Sequence, residues 1–189
     1  MAAVTEERPA EDLGRAQLSD FPVDARTLAR GLAAIRILLG LTFLSNGLAK
    51  LFDFHRVAFG PVVGNLINRD DARFILDVEV NKNAQRLLPL LGRITNDLVL
   101  PNFEPFIWAL TAVELTAGIL LVIGLAPRVG ALLALGPVVF LTLVYLSNDR
   151  WLPEHPLELV PLVVLAIIPT GYAWGLDGRL NRRRRRWPL

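Results

Sequence analysis

Residues 31–51 read GLAAIRILLGLTFLSNGLAKL. The stretch is apolar apart from Arg36, Thr42, Ser45, Asn46 and Lys50, and it has about the ~20 residues a helix needs to cross the hydrocarbon core of a bilayer. Its interruptions are ordered. Arg36, Gly40, Phe43, Gly47 and Lys50 recur at steps of 4, 3, 4 and 3, a heptad stripe that puts both cations and both glycines on one helix face. Glycines permit close approach of a second backbone, so this face is expected against another helix rather than lipid. Asn46 lies beside it.

Three further apolar stretches follow. Phe106 to Ala126 contains Glu114, Val129 to Leu146 contains Pro137, and the fourth runs from Leu157 to Trp174. Pro127 and Arg128 are too few residues to recross a membrane, so spans two and three form an antiparallel hairpin. The fold class expected is all-α, an integral membrane four-helix bundle. The connection from Phe52 to Pro105 is too long for a simple turn. Its stretches Phe74 to Val80 and Leu87 to Leu100 mix apolar and charged residues, which suits short helices on the membrane surface. Three regions result: an N-terminal tail, 1–28; a membrane domain, 29–176, with its cap at 52–105; and an arginine-rich tail, 177–189.

The whole chain agrees with this class. Its 189 residues are 53% hydrophobic and 20% charged, and its mean hydropathy is +0.44, more apolar than an ordinary soluble domain. With no cysteine it has no disulfide, thiolate nucleophile or cysteine-held iron–sulfur cluster. Any redox chemistry must be supplied by another molecule. The N-terminal 28 residues carry Glu6, Glu7, Glu11, Asp12, Asp20 and Asp24 and lack an apolar run of signal-peptide length.

Of the formal net charge of +2, Arg182, Arg183, Arg184, Arg185 and Arg186 supply +5, leaving −3 on the rest. Because this run closely follows an apolar segment, it is read as a juxtamembrane contact with anionic lipid and not as a nucleic-acid site. With Arg179 it assigns both termini to the cytoplasm, since an even number of spans returns the chain to the side it left. The cap and the loop 147–156 then face outward. Trp108, Tyr145, Trp151, Tyr172 and Trp174 fall where interfacial aromatics belong.

Charges at membrane depth cost about 2.5 to 3.5 kcal/mol each on insertion scales and so have partners. Thr111, Glu114 and Gly118 share one face of the second span by the i, i+3, i+4 rule. If the spans are centred on each other, Glu114 lies roughly 10 Å in depth from both Arg36 and Lys50. The expected pairs are Glu114 with Arg36 and Lys50 with Glu158, with Glu114 to Lys50 as the alternative. Such pairs either fix helix register or line a polar cavity between helices. In the second case Lys50 and Asn46 are donors suited to the carbonyl oxygen of a quinone-like ligand, and Glu114 to proton relay. His55 and His155 both fall at the outer surface, and no third ligand is spaced to make a metal site with them. No HExxH, glycine-rich phosphate loop or GxSxG occurs.

The pattern Arg36-x3-Gly40-x2-Phe43-x3-Gly47-x2-Lys50-Leu51, then Glu114-x3-Gly118 leading to Gly124 and Arg128, resembles the DoxX family over roughly residues 30 to 175. The resemblance implies a bacterial inner-membrane protein. Family members look like membrane subunits of a thiosulfate:quinone oxidoreductase, or like scaffolds joining a superoxide dismutase and a sulfurtransferase to the membrane. The expectation is a subunit of a redox or quinone-linked complex with other protein subunits as partners, no intrinsic cofactor, and a bound quinone as the ligand class. A noncatalytic assembly role is the alternative, followed by a small transporter or lipid-binding protein.

Overall fold

The computed structural model describes residues 24–87, 89–145 and 157–180. The N-terminal tail to residue 23, the loop with Trp151 and His155, and the lipid-contact arginines 182–186 lie outside them. The chain is mostly helical. In order it forms α1 (Ala25–Phe52), β1 (Arg56–Phe59), β2 (Val62–Asn65), α2 (Arg69–Leu87), α3 (Pro89–Arg93), a π-helical segment (Ile94–Val99), α4 (Phe103–Ile123), α5 (Pro127–Tyr145), α6 (Leu159–Ile167) and α7 (Leu176–Leu180).

Three of these, α1, α4 and α5, are long and apolar enough to cross a membrane, which marks the chain as a membrane protein. Their outer faces expose Leu38, Leu41, Ile119, Leu132 and Val139, whereas the stripe Arg36, Gly40, Phe43, Gly47 and Lys50 is buried without exception. The reason is close approach of α1 and α4. A Cβ on Gly118 would stand 2.6 Å from the Leu44 backbone nitrogen, and one on Gly40 would stand 2.7 Å from that of Val122. Only hydrogen fits between these two backbones. Leu39, Phe43, Ala117 and Leu121 then form one core with Ala131, Ala134 and Val138 of α5 and Leu162 and Leu165 of α6. Between α4 and α5 the chain reverses at Gly124, which takes φ +65° and donates its N–H to Leu120, and Pro127 opens α5, where a missing N–H costs nothing.

The fourth apolar stretch departs from expectation. Read as a span over 157–174, it is helical only over Leu159–Ile167, about 14 Å at the standard rise and roughly half the hydrocarbon thickness. Pro169 forces the change: the residue before a proline avoids helical angles, and Ile168 is extended, φ −92° and ψ 128°. The segment after it folds back into the bundle end.

The cap also differs in detail. An antiparallel hairpin pairs Arg56 with Asn65 and Phe59 with Val62 around Gly60 at φ +59°, so the chain is not wholly α. In place of a short helix over Phe74 to Val80 there is the 19-residue α2. It starts where the Asn68 side chain accepts the Asp71 N–H at 2.9 Å, a cap worth about 1 kcal/mol. Leu87 to Leu100 is divided among the end of α2, α3 and the π-helical segment. Ala72 and Leu76 of α2 pack with Val99, Phe103 and Ile107, and Val80 packs with Val144. The cap therefore covers the end of the bundle where α1 and α5 finish and α4 begins. Arg69 clamps it there, 3.4 Å from Asp53 and with its guanidinium 5.2 Å from the centre of the Trp108 ring.

Candidate functional site

The glycine contacts fix the α1–α4 register, and the register selects the ion pair. With Gly118 against Leu44 and Gly47 against Leu115, Glu114 stands across from about residue 48, so Lys50 is only ~3 Å further along the axis. Lys50 Nζ donates to Glu114 Oε1 at 3.0 Å and lies 2.9 Å from Oε2. That second oxygen, fully buried, has no aligned hydrogen bond. The side chains are 3% and 11% exposed. The expected pairing of Glu114 with Arg36 is thus replaced by the alternative. Glu158 has no ion-pair partner among the described residues, so the expected Lys50–Glu158 pair is not formed either.

This pair forms part of the wall of a cavity of about 750 Å³. The cavity lies between the cap and the spans. Thr42, Phe43, Asn46 and Lys50 of α1 form one side, and Leu110, Val113 and Glu114 of α4 the next. Gly136, Pro137 and Phe140 of α5 face them, α2 closes the end with Ala72, Ile75 and Leu76, and Glu158 stands at the start of α6. Gly136 and Pro137 leave space at mid-helix, because a Cβ added at Gly136 would meet nothing within 4 Å. Among the described lining residues the polar side chains are Thr42, Asn46 and Lys50, one turn apart on α1, Tyr145 at the end of α5, and the carboxylates of Glu114 and Glu158. A mostly apolar chamber of this volume with a few convergent polar groups has the character of a small-molecule site. Thr111, expected beside it, is buried but turned to its own helix, donating to Ile107 O at 2.7 Å.

Arg36 belongs to a separate structure at the opposite end of the bundle. It is fully buried and donates to three backbone carbonyls: Thr170 at 2.5 Å, Ala173 at 3.2 Å and Trp174 at 3.0 Å. These are the carbonyls that the break at Ile168 releases from helical pairing. Asp177 completes the knot: both its carboxylate oxygens accept the Ala126 N–H at 3.1 Å, and its own N–H donates to Gly124 O at 3.2 Å. Arg128 holds the end of α6 by donating to Ile167 O at 2.6 Å. Arg36 is therefore a clamp on the chain end, not part of the cavity. Asp177 was missed by sequence reasoning. The signal was the run Gly171, Gly175, Gly178 around it, which marks turns rather than a continuing span.

His55 lies in a surface groove with Arg56, Asn65 and Asp71. No group of three His, Cys, Asp or Glu side chains that could hold a metal ion occurs among the described residues. Comparison with protein-family models, with curated proteins and with solved structures finds no match.

Proposed function

We propose that this chain is an integral membrane subunit of a redox or quinone-linked complex, one that holds a quinone-type amphipath and has no redox centre of its own. The cavity walled by the Lys50–Glu114 pair carries the reading. Its apolar lining suits an isoprenoid or alkyl tail, and the Lys50 ammonium and the Asn46 amide are donors for a carbonyl oxygen. Without cysteine or a cofactor motif, electrons reach such a ligand from a partner chain.

In this reading the chain is DoxX-like and sits in a bacterial inner membrane. It crosses four times, the fourth crossing being α6 with the residues that flank it. The termini are cytoplasmic and α2 with its hairpin lies outside, the sign of the bias coming from Arg179 and Arg182 to Arg186. The Arg36 clamp is then on the cytoplasmic side and the cavity on the outer side.

Purification from native membrane, with identification of co-purifying chains and of extracted quinone, tests this. Quinone together with a stoichiometric redox partner is the result expected. A partner without any small ligand would replace the reading with an assembly role, and uptake of a solute by the reconstituted chain alone would replace it with transport.

A further inference from the structure

The cavity has a charge pattern that restricts its headgroup. Among the described residues Lys50 is its one cation, and both oxygens of Glu114 lie within 3.0 Å of that ammonium. An anionic ligand would therefore meet a cation whose charge is already neutralised. It would also meet Glu158, a second carboxylate on the wall. The polar strip of α1 offers complementary groups to a neutral ligand, the Asn46 amide among them.

We propose that Glu114 makes this cavity selective for amphipaths with a neutral headgroup and excludes those ending in carboxylate or phosphate. The inference rests on the reading of the cavity as a ligand site and adds the class of headgroup it takes. As counter-ion to Lys50, Glu114 removes the attraction an anion would otherwise find. A fatty acid or acidic lipid, abundant at any membrane surface, is kept out by like charge, which costs more in a low-dielectric chamber than in water.

The test uses three probes with a matched tail, 1-dodecanol, dodecanoate and dodecylammonium, and decylubiquinone as the quinone. Binding to the full chain in phosphatidylcholine nanodiscs is measured against empty discs at a pH where dodecanoate is ionised. Gly136→Leu serves as the blocked cavity. Wild type should bind dodecanol at least about tenfold more tightly than dodecanoate, and Gly136→Leu should lose both, since a like-charge contact in a desolvated site costs more than 1.4 kcal/mol. Glu114→Gln, which uncovers the Lys50 charge, should raise dodecanoate affinity to that of dodecanol or above. Lys50→Gln uncovers the opposite charge and should admit dodecylammonium while still refusing dodecanoate, so the proposal is tested even if Glu114→Gln fails to fold.

Equal binding of dodecanol and dodecanoate by wild type overturns the proposal. So do dodecanoate binding unchanged in Glu114→Gln, no gain of dodecylammonium in Lys50→Gln, and binding unaffected by Gly136→Leu. Decylubiquinone bound by wild type without the charge-dependent switch removes the selectivity and leaves the quinone reading. The switch without decylubiquinone removes the quinone reading alone, and no probe binding at all removes both.

Discussion

Breaking the Lys50–Glu114 pair should destabilise the bundle by an amount that can be bounded. Its side chains are 3% and 11% exposed and meet at 2.9 Å. Losing one partner in a soluble interior costs about 3 to 5 kcal/mol, because the other charge stays buried. In a bilayer the unfolded reference finds substitute partners, and polar contacts between helices fall to about 1 to 2 kcal/mol. We expect Lys50→Gln and Glu114→Gln each to lose about 2 kcal/mol, between those bounds. For a chain of this size that is a fall of about 4 to 8 °C in Tm. The double variant should lose much less than the sum, with a coupling of about 1 kcal/mol or more. Arg36→Gln combined with Glu114→Gln should be additive, since Arg36 donates to carbonyls at the other end of the bundle. Thermal unfolding of the purified single and double variants in one detergent measures all of this. Additive losses for Lys50 and Glu114, or a coupling that appears with Arg36 instead, would refute the register derived from the glycines.

Gly118→Ala should cost about 1 to 3 kcal/mol through its clash with the Leu44 backbone. Gly31→Ala, at a helical site where a Cβ meets nothing, should be neutral or stabilising by up to about 1 kcal/mol; melts of the two decide whether α1 and α4 are in backbone contact. Arg36→Met strips three carbonyls of their donor and should cost at least about 2 kcal/mol. It should also make a cysteine placed at Ala173 react faster with maleimide, and Arg36→Lys should not restore protection because one ammonium cannot reproduce the guanidinium fork. Replacing Arg182 to Arg186 with glutamine removes about 1 kcal/mol of surface attraction per residue. A cysteine at Asn81, labelled from outside in the parent, should then become partly protected as some molecules invert. Protection of Asn81 in the parent itself would reverse the orientation.

The buried face of α1 was legible because it rests on spacing alone: Arg36, Gly40, Phe43, Gly47 and Lys50 lie on one side of any helix, and that side is buried. The hairpin of α4 and α5 was legible for a similar reason, Pro127 and Arg128 leaving no room for a crossing. The ion pair was not. Centring the two spans puts Glu114 across from about residue 43, whereas the contacts at Gly40, Gly47 and Gly118 move it about five residues along, ~7.5 Å. Such a shift reflects where two backbones can touch, a property of the pair of helices and not of either sequence. The end of α6 was readable in part, since Pro169 stands in the run. Hydropathy concealed it, because Ile168, Tyr172 and Trp174 remain apolar after the helix has stopped. The cavity arises between α1, α2, α4, α5 and the start of α6, and only Gly136 and Pro137 hint that one wall is thin.

Under the proposed function, the chamber between the cap and the spans holds a quinone-type molecule in the membrane. Quinone per chain, extracted from wild type and Gly136→Leu purified in parallel from native membrane, tests it most directly. Gly136 faces the cavity and a larger side chain there has space to enter it, so the variant should fold and melt close to wild type. Near-stoichiometric quinone is expected with wild type and a several-fold loss with the variant. Equal quinone in the two, or none in wild type, would contradict it.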